Sequence, residues 1–223
     1  MNGSIPLDCS KLGVLGGSFD PIHIGHLIVA EILADRLELD HVVFLPAANP
    51  PHKPTQTLAS GEARLEMIHR SIDGVDGFSV SEIDLRRPGP SFTADSLEEV
   101  RKTVSSETDL YFLMGMDSLR DFPGWHRPDK IARLAQLGIA RRPGVDVSLI
   151  DIERQVPEAR GRIEIVNVPL IDISSSDIRD RARTGRPFRF QVMPGVADYI
   201  RKSGLYRERL PDSSDAVSSR MAK

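Results

Sequence analysis

The stretch Gly16-Gly17-Ser18-Phe19-Asp20-Pro21-Ile22-His23-Ile24-Gly25-His26 limits what this chain can fold into more than any other part of it. An apolar run at 12–15, short enough for a buried strand, leads into it. A helical spacing of apolar residues (Leu27, Ile28, Ala30, Ile32, Leu33, Leu37) leads out of it. Between them, Gly16 and Gly17 allow a sharp turn and a close approach of backbone to a ligand. Pro21 fixes its own φ and withholds a donor. His23 and His26 flank Gly25 where the helix begins. A strand, a glycine turn and a helix N-terminus carrying two imidazoles form a site for an anionic group, and nucleotide phosphates suit it best.

The same alternation continues along the chain. Strands are expected at 12–16, 41–45, 78–83, 110–115, 137–141 and 163–168, with helices at 25–37, 62–72, 94–104, 128–134 and 148–155. Two further helices are expected at 175–183 and 196–202. Thr93 reads as the N-cap of the third helix, and Pro128 suits a first helical turn. This pattern specifies an α/β fold: a doubly wound, mostly parallel, Rossmann-like sheet with a small C-terminal helical part, and ligands at the carboxyl ends of the strands. One domain is expected over 11–206, with a flexible start at 1–10 and a polar, disordered tail at 207–223. At 223 residues and 40% hydrophobic content the chain can bury one sizeable core. A net charge of −3 argues against a general nucleic-acid binder. The single cysteine, Cys9, excludes an intramolecular disulfide and suits a reducing compartment. No apolar run approaches the ~20 residues of a membrane span, and the start lacks signal-peptide features, so a cytoplasmic protein with no membrane partner is expected.

A second informative stretch is Ile173-Ser174-Ser175-Ser176-Asp177-Ile178-Arg179. Ser174 with Asp177 three residues on resembles a capping box, so a helix should start here. Its N–H groups, hydroxyls and the Arg179 guanidinium could converge on a polyphosphate. Taken alone, an ordinary capped helix with a solvated arginine explains it better. Beside the glycine turn the balance reverses, because two anion sites on one sheet suggest a single ligand held from both sides. His23 and His26 could instead be half of a metal site. Zinc wants three or four protein ligands, however, and neither HExxH nor CxxC is present. GxxxxGK[ST] and GxSxG are absent as well.

His23-Ile24-Gly25-His26 resembles the HxGH signature of the nucleotidylyltransferase superfamily, and 173–179 resembles its second signature. Three further stretches resemble the nicotinate-nucleotide adenylyltransferase family: PAANPPHK at 46–53, PSFTADSL at 90–97 and GMDSLRDFPGW at 115–125 followed by His126. Arg142-Pro143-Gly144 and the ending Tyr199…Gly204-Leu205-Tyr206 also fit, so the resemblance covers roughly 12–206. Ser18 and Ser176 stand where Thr is common and keep the hydroxyl. Pantetheine-phosphate adenylyltransferases share the first and last signatures, but nothing of their acceptor site is recognisable here. Class I aminoacyl-tRNA synthetases also carry HIGH, but their second signature needs lysines. A non-catalytic nucleotide sensor is the alternative of a different class, and the presence of His23, His26 and Arg179 weighs against it.

The resemblance implies adenylyl transfer from ATP to nicotinate mononucleotide, giving deamido-NAD and pyrophosphate. His23, His26 and Arg179 would be catalytic, donating to the ATP phosphates. Gly16, Gly17, Ser18, Phe19 and Gly25 would pack against the nucleotide. Ser174, Ser175 and Ser176 would hold the β- and γ-phosphates, Ile178 would sit near the adenine, and Gly115 and Asp117 would meet the ribose. On the acceptor side, Trp125 would stack on the pyridine ring, with Thr93, Asn49 and the His126 backbone amide nearby. Lys53 would meet phosphate as a mobile charge, and Arg142 would contact the acceptor. Its neighbour Arg141 leaves open which of the two points inward. Each has a plainer alternative: Trp125 as packing, Thr93 as a cap, Lys53 as a solvated charge. The stretch 49–60 is expected to act as a lid. Mg²⁺ is implied as a cofactor bound through ATP phosphates and water, with no protein ligand. The acceptor's own phosphate would be the nucleophile, largely ionised near neutral pH because its second pKa is about 6. Positioning and electrostatic stabilisation would then carry the reaction without a general base.

Overall fold

Consecutive residues of a strand point to opposite faces of its sheet, and here that alternation splits the core into two layers. The computed structural model describes residues 9–50, 59–144 and 146–207. The expected flexible start up to residue 8, the tail beyond 207, Lys53 and most of the 49–60 lid lie outside the described residues. In chain order the elements are β1 (Lys11–Gly17), α1 (Ile24–Leu37), β2 (His41–Pro46), α2 (Gly61–Ile72), β3 (Phe78–Val80), α3 (Ile83–Arg86), α4 (Thr93–Thr103) and β4 (Asp109–Gly115). After these come α5 (Met116–Asp121), α6 (Pro128–Leu134), β5 (Gln136–Arg141), α7 (Leu149–Gln155), β6 (Ile163–Asn167), α8 (Ser175–Arg183) and α9 (Pro194–Ser203). Single 3₁₀ turns lie at Phe122–Gly124 and Pro157–Ala159.

The strands form one sheet in the order β3-β2-β1-β4-β5-β6, and every neighbouring pair is parallel. Leu15, Val42, Phe44 and Leu113 face a layer built from α1, α2, α8 and α9. Leu12, Val14, Val43 and Phe112 face the other, built from α4, α5, α6 and α7. The chain winds outward from β1 to β3, then returns to add β4 on the opposite side of β1. A crevice therefore opens at the carboxyl ends of β1 and β4, the usual place for a ligand in such a sheet. Among the described residues, no helix is long and apolar enough to cross a membrane.

Three expectations are corrected. The third strand stops at Val80 rather than running to 83, because Ser81 accepts the Ile83 N–H on its hydroxyl at 3.4 Å and the chain turns into the one-turn α3. An Arg86–Glu82 ion pair at 2.9 Å braces that turn. Thr93 is not a cap: Phe92 occupies the N-cap position in extended conformation, and Thr93 is the first helical residue. Ser91, the nearby hydroxyl, is turned away to accept the Ala48 and Asn49 N–H groups at 2.9 and 3.2 Å. The short α5 was not anticipated, since six residues are too few to show a period.

Leu113 fills a notch left by glycines on both flanking strands. A Cβ at Gly13 would lie 2.9 Å from one of its methyls, and a Cβ at Gly138 would lie 2.7 Å from the other. Truncating this fully buried side chain leaves a cavity that no neighbouring strand residue can fill. Leu113→Ala is expected to cost about 4 kcal/mol, near the upper end for such changes. Gly138→Ala in the same chain fills part of that space but sets a Cβ 2.8 Å from a Leu37 methyl, so it should restore less than about 1 kcal/mol, both read from urea denaturation midpoints at constant m-value.

Candidate active site

The turn between β1 and α1 is not made by its glycines. Gly16 and Gly17 belong to β1, and neither adopts a positive φ. What they provide is room. A Cβ at 16 would stand 3.3 Å from the Phe112 ring, and one at 17 would stand 3.0 Å from the Phe19 ring. The chain reverses instead at Phe19, whose φ is 47°, and at the cis Asp20–Pro21 peptide. The Phe19 side chain is buried, edge-on to His26 at 5.2 Å and to Phe44 at 5.7 Å, so only its backbone faces a ligand.

His23 is the N-cap of α1. Its backbone N–H donates to Nδ1 of His26 at 3.2 Å, which leaves the His26 ring proton on Nε2, on the far side of the ring. The two rings stack with centroids 3.7 Å apart. Gly25 makes this stack possible, since a Cβ there would lie 3.1 Å from the His23 ring. His23 is buried, and burial lowers its pKa to about 4, so it is a neutral imidazole at physiological pH. Its Nδ1 is buried without a hydrogen-bond partner.

The α8 terminus closes on this turn as anticipated, although its hydroxyls divide the work. Ser174 caps α8, accepting the Asp177 N–H at 3.2 Å. Ser175 donates to the Pro21 carbonyl at 2.9 Å, fastening the helix to the turn. Arg179 donates from Nη1 to the Asp20 carbonyl at 2.7 Å and from Nη2 to Ser176 Oγ at 3.2 Å. The Ile178 side chain is fully buried in the α1-side core, so only its backbone can meet an adenine.

Beside this corner lies a mainly apolar cavity of about 150 Å³. Gly16, Gly17 and Ser18 form one wall, Thr93 and Phe92 another, and Trp125 and His126 a third. Trp125 is half-buried and meets Phe112 and Phe122 edge to face, so it both packs and lines. The His126 ring stacks on Phe92 at 4.1 Å, joining the two walls. Thr93 stands in the first turn of α4, whose N–H groups carry the positive end of the helix. Asp84 lies at the cavity floor. Burial raises its pKa, against the opposing effect of Ser96 Oγ at 2.6 Å and Arg87 at 3.1 Å. Asn49 stands at the exposed rim rather than in the lining, its side-chain amide donating to the Gly89 carbonyl at 3.1 Å. Gly115 ends β4, and beyond it Asp117 pairs with Arg142 at 3.0 Å. Arg141 instead reaches Asn167 on β6 at 2.8 Å. Of the two neighbouring arginines, it is therefore Arg142 that pairs with Asp117 beyond the end of β4, and Arg141 that reaches β6.

Sequence reasoning overlooked Arg64 and gave no role to Asp20 or Tyr206, although both lie in stretches it singled out. Arg64 is 2% exposed, and its guanidinium holds the carbonyls of Ser18 (2.9 Å), Ala47 (2.7 Å) and Ala59 (3.0 Å). The signal was present: Arg64 lies three and four positions from Met67 and Ile68, on the apolar stripe of its helix.

Residues 14–181 match the cytidylyltransferase-like family model. A protein of Thermomicrobium roseum named probable nicotinate-nucleotide adenylyltransferase is 51% identical over 198 residues, covering 89% of this chain and 92% of its own length. One of the same name from Dehalococcoides mccartyi is 39% identical over 197 residues, covering 88% and 97%. Among solved structures, Plasmodium falciparum nicotinic acid mononucleotide adenylyltransferase complexed with NaAD superposes with a TM-score of 0.72 at 20% identity, over 88% of this chain and 97% of that one. At that identity the likeness speaks for the fold.

Because folding holds the His23 pKa at about 4 while the unfolded residue titrates near 6.5, only the unfolded state takes up this proton between those values. Stability must therefore fall as pH drops through that window. A His23→Asn variant is expected to lose about 2 kcal/mol less than the parent between pH 7 and pH 5, in urea titrations at both values.

Proposed function

The chain belongs to the nicotinate-nucleotide adenylyltransferase family, within the cytidylyltransferase-like fold, and from that premise we propose how its residues move the adenylyl group. The reaction takes ATP and nicotinate mononucleotide to deamido-NAD and pyrophosphate. A phosphate oxygen of the mononucleotide attacks the α-phosphorus of ATP, forming one P–O bond. The bond to the β-phosphate oxygen breaks, and its electron pair leaves with pyrophosphate. With the nucleophile already ionised, the barrier lies in bringing two anions together and accommodating charge as it shifts.

One observation carries the assignment of roles: the His23–His26 stack and the Arg179–Ser176 pair flank a single turn, 18–21, next to the Trp125-lined cavity. Phosphates of ATP lie over the N-termini of α1 and α8, with His26 Nε2 and His23 as donors to the transferring group and Arg179 with Ser176 toward the leaving pyrophosphate. Ser175 acts by docking α8. Gly115 and Asp117 take the adenosine ribose, with Arg142 fixing the carboxylate. The pyridine ring enters the apolar cavity against Trp125, and its carboxylate faces the first turn of α4 at Thr93 and the backbone at His126. Asn49 and Lys53 approach from the rim. An uncharged carboxamide would make weaker use of the α4 terminus, which supports nicotinate over nicotinamide mononucleotide.

The side chains assigned to the phosphates are imidazoles, serine hydroxyls and a guanidinium, none of them an anionic oxygen, and so a poor shell for a hard cation that prefers carboxylate or phosphate. Mg²⁺ is accordingly assigned to the phosphate oxygens of ATP and their waters, where it would neutralise charge.

The deciding experiment is pyrophosphate release with ATP and Mg²⁺, comparing nicotinate mononucleotide, nicotinamide mononucleotide and phosphopantetheine. Release far faster with the first is expected. Faster release with either of the others would remove the acceptor assignment of Trp125 and Thr93. Binding of ATP without release would favour a nucleotide sensor. His26→Ala should lower kcat by about 10²–10³ with the KM for nicotinate mononucleotide nearly unchanged, as loss of one transition-state donor does.

A further inference from the structure

Asp20 is completely buried beneath the β1–α1 turn, and its two carboxylate oxygens have unequal surroundings. Oδ1 accepts the Tyr206 hydroxyl at 2.6 Å and the Ala59 N–H at 3.4 Å. Oδ2 has no hydrogen-bond partner and lies 3.9 Å from Nη1 of Arg179, too far for a hydrogen bond. That same nitrogen donates to the Asp20 carbonyl instead. A buried carboxylate this close is the strongest acceptor within reach of the guanidinium, and a small rotation would give a paired, charge-assisted contact. Something must hold the carboxylate back. The groups that do so are the Tyr206 hydroxyl and the Ala59 amide, which fix Oδ1 on the other side.

Tyr206 reaches Asp20 from 186 positions further along the chain. After α9, Gly204 turns the backbone with φ 66°, and Leu205 and Tyr206 pack back onto the core. Burial, reinforced by Asp20, pushes the Tyr206 hydroxyl pKa well up, so it remains a donor across the working range.

We propose that Tyr206 is a positioning residue for adenylyl transfer: by holding the Asp20 carboxylate on its Oδ1 side, it keeps the Arg179 guanidinium directed to the ATP phosphates. The inference rests on the reading above that Arg179 meets those phosphates. Without the hydroxyl, Asp20 rotates onto Arg179 and draws it inward. ATP use suffers, while the cavity that receives the mononucleotide, on the far side of the turn, is unchanged.

A double-mutant cycle between Tyr206→Phe and Arg179→Lys tests this, with steady-state kinetics run well below the melting temperature of each variant. Tyr206→Phe alone is expected to lower kcat/KM for ATP about tenfold, with the KM for nicotinate mononucleotide within twofold of the parent. In the Arg179→Lys background the same change should cost less than twofold. Equal losses in both backgrounds, or no loss in the parent, would overturn the proposal while leaving Arg179 in its role. An Arg179→Lys enzyme as active as the parent would overturn the role of Arg179 and this inference with it. If the phenylalanine variant does not fold, 3-fluorotyrosine at position 206 replaces it, since it keeps the hydroxyl and its reach to Asp20. That variant should stay within threefold of the parent, and a folded fluorotyrosine variant impaired tenfold or more would count against the proposal.

Discussion

A guanidinium removed from water, with three carbonyl oxygens from three chain segments as its partners, holds the mouth of this site together. Burying an unpaired cation costs several kcal/mol, so Arg64 is tolerated only where acceptors converge on it. Ser18 follows β1, Ala47 follows β2, and Ala59 precedes α2. Burial lowers the Arg64 pKa, and the nearby Asp20 works against that shift. Opposite charge thus favours both groups under the turn, while the carbonyl contacts of Arg64 tie together the segments that flank it. Once it is fixed, α8 has something to dock on: Ser175 meets the Pro21 carbonyl and Arg179 meets that of Asp20. The docking of α8 thus depends on the turn that Arg64 helps to hold.

The fold was legible because a parallel sheet buried on both faces writes continuous apolar strands into the sequence, and these chain segments do so from Leu12 to Val166. Where the reading failed, a local side chain had redirected the backbone. The Ser81 hydroxyl ended β3 early, and the engagement of Ser91 with the 48–49 backbone moved the α4 cap to Phe92. The signatures around His23 and Ser174 were readable because their chemistry is local to a turn and a helix start. The glycines were readable as special positions, but the reason was misjudged. They clear space for the Phe112 and Phe19 rings, a fact about neighbours 96 and two positions away, while Phe19 itself turns the chain. Tyr206 on Asp20 and Arg142 on Asp117 were beyond sequence reading, since each pairing is set by which segments the topology brings side by side.

The cavity beside Trp125 shows a different balance of forces. Two of its walls are aromatic, and among the described residues its one buried acidic group is Asp84, which Ser96 and Arg87 hold in place, Arg87 also facing Asp95 at 3.3 Å. This cluster fixes α3 to the start of α4 and so sets where the first turn of α4 points. In the proposed reaction a carboxylate-bearing ring enters a site that already holds a carboxylate, and Arg87 reduces the repulsion between them. Aromatic stacking and the helix terminus can then select the ring by its shape and its charge together.

Two kinds of donor face the phosphates in this reading, and the difference between them matters for turnover. A fixed, exposed cation would bind ATP, the transition state and pyrophosphate alike, and uniform binding does not raise kcat. Burial keeps His23 neutral at rest, with a pKa of about 4. Its interaction therefore begins as that of a dipole and strengthens only as negative charge gathers beside it, which makes it selective for the moment of bond exchange. Arg179 carries a permanent charge, but the buried Asp20 carboxylate lies 3.9 Å behind it and partly offsets its hold on phosphate. In the proposed reaction the site thus combines a donor that responds to developing charge with a cation whose pull is moderated, and both follow from what lies buried at a single turn.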